Sequence, residues 1–321
     1  MMDGSRDLQL LICGLLFAII IPFFSKVPKA LLIPLLYFTV HAAWFAFNRD
    51  AFDQDINPIT RLSMHINALE VFVMLICFPL FISRLPILMK AFVLGGIYCM
   101  MLFDSALFAF GRGGVLFTWP TFECAMMACF IPVVFRVRWK LAVPLLIPII
   151  GLHALTAATC ALVGMSTYLK KRWAVIFIPV ILTVLFIIKP FFTLALSERW
   201  EMWTQYFNWF SMIPHAWLTG VGPGSFEELG PLFRSATAHQ YVLMHNDYLQ
   251  ILFETGVPGL LMFLWVCGYL LWATRLKLVY FSSLVAVMLC MLTYFPLHFF
   301  TSQLMLLFLI DESLYNDPII D

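Results

Sequence analysis

Apolar runs recur along the whole length of this chain with only short polar connections between them, and that pattern leaves few folds open. The runs fall at about 8–24, 29–47, 66–82, 87–108, 117–135, 141–155, 158–169, 173–195, 246–272, 278–295 and 299–310. Most approach the ~20 residues that cross a bilayer as helix. Backbone polar groups in lipid must be satisfied within the segment, so helix is the expected form of each. With 63% apolar and 12% charged residues, the chain has too little polar surface to clothe a water-soluble globule of its size. The expectation is an all-α polytopic integral membrane protein with about ten or eleven transmembrane helices. The run from Leu8 to Phe24 lacks the basic flank and small-residue cleavage site of a signal peptide, so it is expected to remain as the first span.

Twelve of the nineteen basic residues lie in alternate connections: Lys26, Lys29, Arg84, Lys90, Arg136, Arg138, Lys140, Lys170, Lys171, Arg172, Arg275 and Lys277. The positive-inside rule makes that side cytoplasmic. The outer side then receives residues 48–65, 111–114 and the long segment 197–244, which lies between the eighth and ninth spans as a cap loop within a single membrane domain, 1–321. That segment is too long for an ordinary connection. Its aromatic residues Trp200, Trp203, Tyr206, Phe207, Trp209, Phe210 and Trp217 suggest an amphipathic helix whose rings form a belt at the lipid headgroups. The net charge of +1 offers no basic patch for nucleic acid. All eight cysteines lie in apolar runs without Cys-x-x-Cys spacing and read as buried small hydrophobes, with no disulfide framework. His215, His239 and His245 lack the spacing of metal ligands, so neither metal nor other cofactor is expected.

The polar interruption from Arg199 to Gly259 carries the most specific pattern. It contains Arg199-x-x-x-Trp203, then Pro214, then Gly220-x-Gly222-x-Gly224 with Phe226. His245-Asn246-x-x-Leu249 and Glu254-x-Gly256-x-x-Gly259 follow. Over these sixty or so residues the chain resembles the O-antigen ligase and polymerase superfamily of bacterial inner-membrane glycosyltransferases. The resemblance implies transfer of a glycan from undecaprenyl diphosphate to an acceptor hydroxyl at the periplasmic face, without metal or nucleotide. The acceptor would be a lipid A core sugar, another lipid-linked glycan or a pilin hydroxyl, the last making the chain a protein O-oligosaccharyltransferase. Membrane lipid would surround it.

Each candidate residue has a chemical and a plainer reading. His245 opens the run that re-enters the membrane, where an imidazole titrating near its ordinary 6.5 would accept a proton from the acceptor hydroxyl; alternatively it caps that helix beside Asn246 and Asp247. Arg199 would hold the departing diphosphate with its guanidinium fork, or else reach headgroup phosphates or pair with Glu198 or Glu201. Arg112, in Gly111-Arg112-Gly113-Gly114, is similar to an arginine of the family's Arg-x-x-Gly-x-Phe-x-x-Pro-Asn segment, although such glycines also suit a tight turn. Gly222 and Gly224 would approach a phosphate or simply form a rigid turn, and Asn246 would assist at the substrate. Relatives carry Thr-x-Ser-Arg where this chain has Thr156-Ala157-Ala158-Thr159. Either Arg112 or Arg234 supplies that missing charge, or transfer is weakened. Glu70, Asp104, Glu123, His153, Lys189 and His298 are further ionisable residues within apolar runs, where such residues are costly and often functional. A transporter of lipids or polysaccharide is the rival reading from another class; it would commonly show two similar halves, and no internal repeat is visible here.

Overall fold

The protein is described by a computed structural model over residues 28–48, 86–109, 120–151, 155–168, 189–222, 225–226, 244–292, 306 and 309. Among these residues the regular structure is helical, with no strand. The helices are α1 (Lys29–Asn48), α2 (Ile87–Ala109), α3 (Pro120–Val137), α4 (Trp139–Gly151), α5 (Leu155–Tyr168), α6 (Lys189–Met212), α7 (Ala216–Thr219), α8 (Asp247–Thr274) and α9 (Leu278–Cys290). Of the described helices, α8 alone is long and apolar enough to cross a membrane by length and composition. Shorter apolar stretches lie in α1, α2, α3, α4 and α9. The runs at 8–24 and 66–82, and most of those at 173–195 and 299–310, fall outside the described residues.

The core forms where α3, α5 and α9 pack on one another, with α4 laid against α3. Small residues let them approach closely. A Cβ on Gly164 of α5 would come within 3.2 Å of the Ser282 carbonyl and 3.3 Å of Ala286 and Pro132. One layer away, the thiol of Cys290 meets those of Cys129 and Cys160. The order of these contacts makes α9 antiparallel to α3 and α5. The turn after α3, with Arg136, Arg138 and Lys140, therefore shares an end of the bundle with the turn before α9, which carries Arg275 and Lys277. At that end the Arg275 guanidinium lies over the Trp272 ring, 4.2 Å from its centre, a cation–π contact.

The apolar run at 246–272 is not one straight span. Gly256 sits inside α8 with φ 71° and ψ −176°, outside helical geometry, and Pro258 has no N–H to offer. The helix breaks there into a short arm, 247–255, and a long arm, 257–274. A straight helix would hold Tyr248 and Phe263 about 22 Å apart, yet their ring centres are 5.7 Å from each other. The arms fold sharply toward one another, and the short arm also lies along α9, with Tyr248 Oη donating to the Met288 carbonyl at 3.0 Å.

A broken helix leaves carbonyls without their usual donors, and here other elements supply them. Val221 N–H donates to Phe253 O at 2.9 Å and Gly222 N–H to Glu254 O at 2.9 Å. Tyr37 Oη of α1 donates to Thr255 O at 2.9 Å. Three consecutive carbonyls are thus capped by three groups from two distant parts of the chain. α1 runs antiparallel to the long arm, since its other end accepts from Trp265 Nε1 at the Ala30 carbonyl, 3.0 Å away. Gly220, with φ 69°, abuts the Glu254 carbonyl so closely that any Cβ would overlap it, and a Cβ on Gly256 would sit 2.7 Å from the Leu218 carbonyl.

Gly256→Ala is therefore expected to destabilise the protein by more than about 2 kcal/mol, from left-handed strain and the forced separation of α7 from α8. Gly95→Ala, at a position inside α2 with nothing within 4 Å of the new Cβ, should be neutral or stabilising by up to about 1 kcal/mol. Thermal unfolding of the two variants in the same detergent checks the contrast.

Candidate functional site

α6 is one helix through the end of the eighth apolar run into the expected cap loop. Pro190 sits in its first turn, where a missing N–H is harmless, and the helix stops at Met212, ahead of Pro214. The boundary expected at residue 197 is thus not a structural break. Met202, Tyr206 and Phe210 recur every four residues and are buried, while Trp200, Glu201, Thr204, Asn208 and Ser211 are exposed. The buried stripe packs on Phe226, Met244 and Phe253, with Tyr206 and Phe226 edge to face at 4.8 Å. Most of the aromatic residues expected to form a headgroup belt are instead the inner wall of this cluster. Trp200, at 69% exposure, is left outside, while Trp217, at 45%, packs edge to face on Phe210 at 4.9 Å.

The sequence motifs meet here, each for a structural reason. Arg199 and Trp203 are four residues apart and so share a face of α6. Trp203 Nε1 donates to the Met244 carbonyl at 2.8 Å, the residue next to His245. That bond brings the Arg199 face of α6 alongside the imidazole. The same face excludes Glu201, which projects from the other side of α6, where Gln205 donates to it at 3.4 Å. His245 itself adopts φ 53°, a left-handed conformation that histidine tolerates better than most side chains. It is 8% exposed.

Asn246, not His245, is the helix cap. Its Oδ1 accepts from Leu249 N–H at 3.0 Å and its Nδ2 donates to the Leu292 carbonyl at 3.0 Å. Asp247 N–H donates to Met291 O at 2.9 Å. These bonds fasten the start of the short arm to the end of α9. The amide of Asn246 is occupied within the protein, and the N–H of Gly222 is given to Glu254. The geometry thus gives Asn246 and Gly222 structural roles in fastening the start of the short arm and the loop after α7. Asp247, Gln250 and Glu254 line one face of the short arm and are buried, with Gln250 Nε2 donating to Glu254 Oε1 at 3.1 Å.

Two effects act on the His245 imidazole in the same direction. Burial away from water penalises its charged form most, and the positive charge of Arg199 adds to that penalty, so its pKa falls from 6.5 to about 3. This corrects the expectation of a base with its ordinary titration. The ring is therefore neutral throughout the neutral range and has little appetite for a proton. Arg199, 46 residues before His245 in the numbering, is thus the neighbouring charge that bears on the imidazole.

Arg112, Arg234 and Gly224 lie outside the described residues, as do His153, His298 and Glu70. Thr159, where the resemblance would put an arginine, stands partly buried in the first turns of α5. Among the described residues no group of three or more His, Cys, Asp or Glu side chains could hold a metal ion. No protein-family model matches this chain, and no curated protein matches it. The sequence placed Trp203 among the rings of a headgroup belt; its bond to the Met244 carbonyl was signalled only by its spacing from Arg199.

Removing the guanidinium by Arg199→Gln should raise the His245 pKa while leaving it below 6.5, because burial is the larger cause. Histidine carbon-13 NMR against pH, with His245→Gln to assign the signal, reads this. An unchanged midpoint would mean the two side chains are not electrostatically coupled.

Proposed function

We propose that this chain is a multi-pass membrane glycosyltransferase that moves a glycan from undecaprenyl diphosphate to an acceptor hydroxyl on the outer face of the bacterial inner membrane. The observation that carries the reading is the Trp203 bond to Met244, which brings the Arg199 face of α6 toward the buried imidazole of His245, within reach of the guanidinium's charge. That pair matches the two demands of the reaction. As the bond between the anomeric carbon and the diphosphate oxygen breaks, negative charge gathers on the leaving group, and a preorganised guanidinium stabilises it. As the acceptor oxygen bonds to that carbon from the opposite side, its hydrogen must leave as a proton, and a neutral imidazole accepts it.

The low proton affinity of His245 fits this sequence of events. An anionic diphosphate beside Arg199 offsets the positive charge that lowers the imidazole pKa, so donor binding itself makes His245 a better base. Attack then follows binding of the donor, and acceptor is not activated in its absence. Inversion at the anomeric carbon is the stereochemical consequence of a single in-line displacement.

The distribution of polarity supports a lipid surrounding. Ile33, Phe92, Ile147, Leu261, Trp265 and Leu276 are exposed, while His41, His245, Asp247, Gln250, Glu254 and Ser282 are buried. That arrangement is the reverse of a water-soluble globule and suits a bundle whose outer solvent is hydrocarbon. The five basic residues gathered at one end of the bundle agree with a cytoplasmic end there.

The purified protein in lipid nanodiscs, supplied with undecaprenyl-diphosphate-linked glycan and acceptor, tests the proposal. His245→Ala and Arg199→Ala are each expected to lower transfer by at least about 10²-fold, with Arg199→Lys retaining a small part because it keeps charge but not the fork. Trp203→Phe, which loses the bond to Met244, should cost about tenfold through misplacement. Wild-type transfer by either alanine variant would remove that residue from the mechanism. The acceptor class is read from surface polysaccharide and pilin glycoforms after gene deletion: uncapped core for a ligase, single repeats for a polymerase, bare pilin for the protein-directed enzyme.

A further inference from the structure

The short arm of α8 carries His245 at one end and meets α1 at the other, and two α1 side chains grip that far end. Tyr37 Oη donates to the Thr255 carbonyl at 2.9 Å. One turn along α1, His41 Nε2 donates to the Thr219 carbonyl, which fixes the hydrogen on that nitrogen because a carbonyl can only accept. The two rings stack, with centres 5.6 Å apart and planes at 26°, and His41 is 8% exposed. Thr219 and Thr255 immediately precede Gly220 and Gly256, the two glycines with positive φ at the contact of α7 with α8. α1 thus holds the residue before the turn on each side of the joint. Gly259, on the next turn of the long arm, leaves room for the Tyr37 ring, which a Cβ there would meet at 3.4 Å.

We propose that Tyr37 and His41 are positioning residues that set the angle of the short arm and, through it, the placement of His245 against Arg199. This rests on the transferase reading for its effect on rate, but not for its effect on the joint. The lever is short and stiff. The short arm is a continuous helix from Asp247 to Thr255, pinned at its start through Asn246 and Asp247 to α9 and at its end through Thr255 to α1. A helical segment held at both ends transmits a change at one to the other, and an error of about 1 Å at a reacting group costs up to about 10²-fold in rate. Neither residue belongs to the motifs of the 199–259 stretch, and neither reaches the Arg199–His245 pair itself.

Full-length Tyr37→Phe, His41→Ala and His41→Gln proteins in nanodiscs test this with two readouts. In transfer assays, Tyr37→Phe and His41→Ala should lose about tenfold in kcat while KM for the lipid-linked donor stays within about twofold. His41→Gln, whose side-chain N–H can still reach the Thr219 carbonyl, should keep kcat within about threefold of wild type. In hydrogen exchange, the Val221 and Gly222 amides should exchange at least about tenfold faster in Tyr37→Phe and His41→Ala, and near the wild-type rate in His41→Gln. Unchanged exchange in Tyr37→Phe and His41→Ala overturns the brace. Faster exchange with unchanged kcat overturns its positioning role, and so does a fall in kcat that His41→Gln does not rescue. A wild-type protein that transfers no glycan defeats the transferase reading instead, and with it the positioning role, while the exchange rates still decide whether α1 braces the joint.

Discussion

The break at Gly256 places three consecutive backbone carbonyls, those of Phe253, Glu254 and Thr255, where helix geometry cannot satisfy them. A buried carbonyl without a donor costs on the order of 1–3 kcal/mol, so three would consume much of the stability of a typical domain. Their donors are Val221, Gly222 and Tyr37, drawn from the loop after α7 and from α1. The requirement to satisfy this break is what ties α1, the 216–222 segment and α8 into one unit. Loosening any of the three donors exposes a cost that the others cannot cover.

That constraint gives the glycine motifs their physical content. Gly-x-Gly at 220 and 222 and Glu-x-Gly-x-x-Gly at 254–259 are two halves of one contact, in which Gly220 and Gly256 each make room for the backbone of the other segment. A phosphate-cradling loop leaves its N–H groups to the ligand, whereas here the Val221 and Gly222 amides face carbonyls of α8. The chemistry is thus left to side chains. His245 projects from a left-handed turn between the Trp203-held carbonyl of Met244 and the Asn246 cap, so its ring is aimed by bonds on both sides of it.

How much of this could be read in the sequence depends on the range of each interaction. The helical character follows from apolar runs and was legible throughout the described residues. The pairing of Arg199 with His245 was suggested by family resemblance, and the Arg199-to-Trp203 spacing already placed both on one helix face. Two features were not legible. The run at 246–272 looks continuous because Gly256 and Pro258 are tolerated in membrane helices, and nothing local says that Tyr248 will come back to Phe263. The roles of Tyr37 and His41 depend on partners roughly 180–220 positions away, and a polar side chain in an apolar run does not name its acceptor. The aromatic residues of α6 misled for a related reason: a stripe every four residues serves a lipid interface or an internal cluster equally, and Phe226 and Phe253 decided between them.

On the transferase reading proposed above, the electrostatics of the site also bear on the order of events. An imidazole lowered to about 3 is a poor base, which taken alone speaks against acid–base work by His245. The larger cause is burial, and it persists as long as the site stays closed to water. The smaller cause, Arg199, is the one that an anionic donor can offset. A base whose strength depends on the presence of the leaving group is protected against protonation when idle and strengthened only when there is a bond to break. A buried histidine with no neighbouring cation would have its low pKa without that responsiveness. On that reading the guanidinium would do more than bind phosphate, since it would couple occupancy of one half of the site to the readiness of the other.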